Sequence, residues 1–167
     1  MTWRMVLSAS AVTVMGLALL TESSLGAPKI NKGQLVGSWT LVSASAPNPS
    51  VQPFGLNDGF AIFEPNGRFS LSLIRSDLPK FASNNRATGT PDENKAVIQG
   101  CITYFGTYSV NEADGGVTLH IERSSFPNWN GTDQKRVVTS LTAQELKYTN
   151  PAASVGGGAE LVWKRVK

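Results

Sequence analysis

From residue 35 onward the chain alternates short runs, apolar at every second position, with clusters of turn-forming residues, and that rhythm points to an antiparallel all-β domain. Eight strands are predicted, at 35–44, 58–64, 68–75, 102–110, 117–124, 134–141, 145–149 and 159–166. Pro65-Asn66-Gly67 is the clearest stop between two of them, because Asn-Gly tolerates the positive φ angles of a tight hairpin turn. Glu-Ala-Asp-Gly-Gly at 112–116 makes another hairpin, residues 141–146 a later one, and the glycine-rich 150–158 a flexible link into the last strand. Open sheet edges invite pairing with other chains, and closure into a barrel removes them. At about eight strands a barrel is either filled by its own side chains or holds one small ligand. Both outcomes stay open at this level.

One helix interrupts the series. Thr90 is placed to cap it, Pro91 suits its first position, Glu93 completes a capping box and Gly100 ends it, which predicts a helix over Pro91–Gln99. Its apolar side, Ala96, Val97 and Ile98, is too short for an independent helix, so it should lie across the sheet or close the barrel mouth.

Residues 1–26 read differently. Arg4 precedes an apolar run from Met5 to Leu20, and Ser24-Leu25-Gly26 follows as a small-x-small site, the pattern of a cleaved secretory signal peptide. The run is short for a bilayer span, which needs about 20 apolar residues. The expectation is therefore an exported chain, periplasmic or extracellular, with a single domain over 27–167 and no membrane span once processed. Its net charge of +3 is mild and scattered, which argues against nucleic acid as a partner. With one His and one Cys in the whole chain, no metal site of familiar type is expected, nor any cofactor. Cys101 can form no internal disulfide, so the core alone must hold the domain.

Alternation assigns faces. Leu35, Gly37, Trp39 and Leu41 share one side of the first strand; Phe69, Leu71, Leu73 and Arg75 share one side of the third; Ala159, Leu161, Trp163 and Arg165 share one side of the last. The interior expected from these phases is lined by Trp39, Leu41, Phe60, Ile62, Phe69, Leu71, Leu73 and Trp163.

The Gly37-Ser38-Trp39 triplet on the first strand and Leu-Val-Trp-Lys-Arg at 161–165 on the last resemble the two ends of the lipocalin-like domain family. Between them the stretches at 67–81, 102–110 and 119–136 follow in order and resemble the compact single-domain branch of that family. The resemblance implies a calycin-type barrel with one short helix, in which Gly37 and Trp39 form the signature and Arg165 packs over the tryptophan. It also implies a possible cavity for a small ligand, and little about activity.

Several residues have chemistry to offer. His120 and Glu122 share one face of a strand whose other face carries Val117, Leu119 and Ile121; the hydrophobic rule sends the pair to solvent. The inverted phase would put His120, Glu122 and Arg136 inside as acid, orienting carboxylate and oxyanion holder, a set suited to cofactor-free isomerisation or cyclisation of a small oxygenated compound. Arg75 follows Leu73 in phase and either points inward, toward Glu122, Asp77 or a ligand carboxylate, or sits at the rim in solvent. The polar residues 76–90 after it are long enough for a lid. Tyr104 and Tyr108 flank Gly106 on one face, as a packed pair or as ligand contacts. The function expected is binding of one small apolar or amphipathic molecule, with Arg75, Tyr104, Tyr108 and in some phases His120 orienting it among Phe69, Leu71, Leu73 and Trp163. The alternatives are the isomerase or cyclase using His120, Glu122 and Arg136, and a filled barrel that serves as an interaction module.

Overall fold

The structure, a computed structural model, describes residues 29–45 and 57–167. Residues 1–26, where a signal peptide is expected, lie outside the described residues. Eight strands appear among them: β1 (Gly37–Ser45), β2 (Asn57–Phe63), β3 (Arg68–Arg75), β4 (Cys101–Asn111), β5 (Gly116–Ser124), β6 (Thr132–Leu141), β7 (Glu145–Asn150) and β8 (Ala159–Arg165). Each pairs antiparallel with its neighbours in sequence, and β8 returns to β1 to close the barrel.

The turns follow from local chemistry. At 64–67 only the glycine takes a positive φ, Gly67 at 90°, while the Asn66 side chain accepts a bond from the Arg68 amide at 2.9 Å. At 112–115 Gly115 does the same work with φ 68°. The expected helix forms as α2 (Pro91–Gly100): Thr90 and Glu93 cap it reciprocally, and a second Glu93 oxygen takes the Ala82 amide at 2.8 Å. Those amide bonds hold the Glu93 carboxyl below its ordinary range. Helix α2 touches β3 and β4, with Ala96 and Val97 half-buried and Ile98 74% exposed. A four-residue helix, α1 (Lys32–Leu35), was not foreseen; Asn31 and Gln34 form its capping box.

Helix α1 plugs one end of the barrel. Leu35 is buried, and its carbonyl accepts the Trp39 indole N–H at 2.9 Å. The helix leaves orphan carbonyls at its C-terminus, as any helix does. Arg165 satisfies two carbonyls there, its Nη2 donating to that of Gln34 at 2.6 Å and Nη1 to that of Val36, while its Nε donates to the Ala143 carbonyl in the turn before β7 at 2.8 Å. The same guanidinium lies 4.0 Å over the Trp39 ring, which is fully buried. Gly37 makes room for it. A Cβ there would stand 2.5 Å from Arg165 Nη1, and φ is +130°, a region side chains disfavour. The Gly37-x-Trp39 pattern and Arg165 are thus one device joining the first strand to the last.

The phase of β2 corrects one expectation. Trp39 pairs with Ala61, so Gly59, Ala61 and Phe63 face inward and Phe60 and Ile62 face outward, Phe60 being 44% exposed. Volume decides this: a Cβ at Gly59 would lie 2.6 Å from Leu41 Cβ and 2.8 Å from Leu73 Cδ2. Only small residues fit opposite Trp39, Leu41 and Leu73, whatever the hydropathy of their neighbours. The rest of the interior follows the expected phases, with Phe69, Leu71, Leu73, Tyr104, Tyr108, Val117, Leu119, Ile121, Leu161 and Trp163 all buried.

Trp39→Ala is expected to lower unfolding free energy by about 3–5 kcal/mol, as large core truncations do, measured by chemical denaturation. An unchanged denaturation midpoint would show that the plug does not hold the barrel closed.

Candidate functional site

The barrel has unequal ends. The chain before β1, the 64–67, 112–115 and 142–144 turns and the Arg165 clamp gather at the plugged end, where Tyr108 donates its hydroxyl to the Glu64 carbonyl at 2.9 Å. Tyr108 meets Phe63 edge-on at 5.1 Å and carries Lys32 over its ring at 5.2 Å. Burial raises its pKa, and the ring packs in the core outside the lining of the cavity at the opposite end.

The opposite end carries the 125–131 and 151–158 connections, and there the interior opens. A cavity runs in between Ala44, Leu73, Ile102, Trp129 and Leu161, with Ala153, Ser154 and Val155 across its mouth and Tyr104, Arg136, Tyr148 and Asn150 at its depth. The empty space between atoms, mouth included, is about 430 Å³, but only about 30 Å³ of it admits the centre of a water molecule. A smaller apolar void of about 10 Å³ lies beyond Arg136 and Tyr148, toward Leu35 and Val138. One water needs roughly 10–15 Å³ by this measure, and a drug-sized ligand a few hundred. The 151–158 connection across the mouth is a turn in which Gly156 and Gly157 take positive φ and Ala153 exchanges backbone hydrogen bonds with Gly156 and Gly157 at 2.9 Å.

The chemistry centres on Arg136, which alternates with Val138 on β6 and so enters the barrel, where it is 2% exposed. Its Nη1 donates to the Lys135 carbonyl at 2.7 Å and to Asn150 Oδ1 at 3.0 Å; Nη2 donates to the Tyr104 hydroxyl at 3.3 Å. Its Cζ lies 5.9 Å from the centre of the Tyr148 ring. Burial works against its charge, yet the phenols of Tyr104 and Tyr148 more than offset it, and its pKa stays above the usual value. Burial, with Tyr104 adding to it, drives the Tyr148 pKa well up, so that hydroxyl keeps its proton. Tyr104 in turn meets Trp129 edge-on at 5.3 Å and Phe69 at 6.0 Å, while Tyr148 stacks on Trp163 at 6.3 Å.

Of the residues singled out from sequence, Leu73, Tyr104 and Arg136 meet at this cavity. Phe69, Leu71 and Trp163 are buried in the barrel core but outside its lining. Arg75 stands at the rim, bonded twice to Asp77 at 2.8 and 2.6 Å, and that pairing pulls the Asp77 carboxyl down. Its charge is thereby committed outside the cavity. His120 faces solvent, its side chain 53% exposed, with Nδ1 2.8 Å from Asp133 on the adjacent strand. Glu122 faces outward to Arg68. The His120, Glu122 and Arg136 set is therefore not assembled: β5 buries Val117, Leu119 and Ile121, and period 2 puts His120 and Glu122 on the other face. Gly106 is the point where β5 comes close, since a Cβ there would fall 1.9 Å from the His120 carbonyl. Residues 76–90 stay out of the cavity lining. Sequence reasoning missed Tyr148, Asn150 and Ile102, and held Trp129 only as a member of the 119–136 stretch without placing it in the lining. The phase of Leu146 on β7 is the signal that would have turned Tyr148 and Asn150 inward.

No group of His, Cys, Asp and Glu among the described residues could hold a metal ion. None of their helices is long and apolar enough to cross a membrane.

A closed antiparallel barrel of eight strands, plugged at one end and hollow toward the other, defines a lipocalin-type protein. The chain belongs to the lipocalin-like domain family, whose sequence profile matches residues 36–166. It is 26% identical over 107 residues, 58% of this chain and 96% of the other, to the 4'-hydroxy-3'-methoxypropiophenone carrier protein ppsC of Aspergillus oryzae (strain ATCC 42149 / RIB 40). Among solved structures it is similar to a redesigned β-barrel, with TM-score 0.46 and 14% identity over 87% of this chain and 100% of that one. It is also similar to bovine odorant binding protein complexed with its natural ligand, with TM-score 0.42 and 15% identity over 83% of this chain and 75% of that one.

Because His120 and Glu122 make only surface pairs, His120→Ala and Glu122→Gln should each change stability by less than about 0.5 kcal/mol and leave ligand titrations unmoved. A large loss in either assay would mean that the outer face of β5 takes part in the site.

Proposed function

We propose that this chain is an exported binding or carrier protein that takes one small apolar or amphipathic molecule into the hollow end of its barrel. The observation that carries the reading is the convergence of apolar walls, from Leu73, Ile102, Trp129 and Leu161, on a small polar cluster at Arg136. Few polar groups at the end of an apolar pocket is the usual composition of a small-molecule site. The carrier function in the name of the Aspergillus oryzae relative supports the same class of activity. Export is supported by the pattern of residues 1–26, a charged start, an apolar run and a small-x-small site.

A second reading, the interaction module, draws on the small free volume inside and on an outer groove between Ile62, Arg68, Ser70 and Phe105, whose empty space, open solvent included, is about 600 Å³. The proton-transfer reading has lost its set of residues, since His120 and Glu122 stand on the far side of the wall from Arg136.

Titration with N-phenyl-1-naphthylamine, a neutral aromatic probe that brightens in apolar surroundings, separates the two. The binding reading expects a saturable signal that Ala44→Phe, which fills the mouth, weakens by about tenfold or more, about 1.4 kcal/mol. A saturable signal that Ala44→Phe leaves intact, or none at all, would refute it.

A further inference from the structure

Resting on that reading, we infer that the ligand is a small organic acid whose carboxylate is received by Arg136 at the depth of the cavity. The interior holds a guanidinium and no counter-charge. The acceptors that Arg136 reaches, the Lys135 carbonyl, Asn150 Oδ1 and the Tyr104 and Tyr148 hydroxyls, are all neutral. No Asp or Glu among the described residues is fully buried. The three that are half-buried face other partners: Glu93 takes the Ala82 and Thr90 amides, Glu122 takes Arg68, and Glu145 lies 3.8 Å from Lys147. A buried charge without an opposite charge is unfavourable, and protein interiors normally pair it.

Hydrogen bonding shows the same imbalance. Two buried donors, Arg136 Nε and Trp163 Nε1, make no well-formed hydrogen bond, and the acceptor they share within reach is the single Tyr148 hydroxyl. Both side chains meet at Tyr148, which stacks on Trp163 and lies beneath the Arg136 guanidinium, so that one phenol oxygen faces more donors than it can serve. The cluster is rich in N–H and O–H groups and short of acceptors. Buried donors left unmatched are rare in native proteins, and such a shortfall marks a place where a ligand supplies acceptors. A carboxylate supplies them together with the missing charge, in the paired geometry that guanidinium favours.

Placement agrees. Arg136 and Tyr148 wall both the cavity and the void beyond it, so a charged head at Arg136 leaves the apolar body toward the mouth, between Leu73, Ile102, Trp129 and Leu161. The acid would be slim, with a single negative charge and an aromatic or short aliphatic body. Amines would meet the guanidinium with like charge and be refused.

Calorimetric titration of the protein with 3-phenylpropanoate and with its neutral isostere 3-phenylpropanamide tests the inference. The acid is expected to bind at least about tenfold more tightly than the amide, and Arg136→Gln should bring the ratio close to one. A wild-type ratio near one, or a preference that survives in Arg136→Gln, overturns it. Should Arg136→Gln fail to fold, the wild-type protein decides by pH. Affinity for the acid must fall as the probe protonates while affinity for the amide stays level, and a level profile for both overturns the inference. Saturable amide binding that Ala44→Phe blocks, without any advantage for the acid, would refute the carboxylate and keep the cavity. Absence of binding by either probe, together with no N-phenyl-1-naphthylamine signal, would refute both.

Discussion

A guanidinium laid over an indole holds this barrel shut. Arg165 comes from the last strand and Trp39 from the first, so their contact, with the carbonyls of Gln34, Val36 and Ala143 bound to the same side chain, ties the two ends of the sheet. Without that closure β1 and β8 would be edges, exposing unpaired amides and carbonyls to other chains. The contact also decides which end of the barrel is solid. Helix α1 can plug the bottom because Arg165 occupies two carbonyls at its C-terminus, and the large rings of Trp39, Phe63 and Tyr108 fill the layer next to it. The hollow is left for the opposite end by default.

Arg136 stands in contrast. Both arginines are held by carbonyl oxygens, but Arg165 is half-exposed and every nitrogen of its guanidinium has a partner, whereas Arg136 is buried with one nitrogen making no well-formed hydrogen bond. A well-packed apolar residue would serve stability as well or better at such a position. Retaining a charge there makes sense for a site, which must keep a polar group underused until something arrives to match it. The same logic covers the narrow interior: tight aromatic contacts among Tyr104, Trp129 and Phe126 keep the barrel packed.

Much of the fold was legible in the residues. Turn chemistry located the hairpins, and the Thr90-Pro91-Glu93 box located α2 to within a residue of its end. The ends of the chain announced the closure, because Gly37, Trp39 and Arg165 are constrained by contact with each other. Phe60 and Ile62 misled because hydropathy, read one strand at a time, cannot see volume: the inward positions belong to Gly59 and Ala61, and the reason stands on β1 and β3. The site was harder still. Arg136, Tyr148 and Tyr104 come from β6, β7 and β4, and their meeting depends on the register of three pairings and on the bulges in β4–β5 and β6–β7. His120 drew attention as the one histidine, yet its outward phase was already written in Val117, Leu119 and Ile121.

The central claim is that one end of the barrel is sealed and the other receives the ligand. Amide chemical-shift mapping by NMR, with N-phenyl-1-naphthylamine titrated into the isotope-labelled protein, tests it most directly. The account predicts shifts at Ala44, Ile102, Tyr104, Trp129, Tyr148 and the 153–155 segment, with Gly37, Trp39 and Arg165 unmoved. Shifts confined to Ile62, Arg68 and Phe105 on the outer wall, or centred on the Trp39 and Arg165 contact, would contradict it.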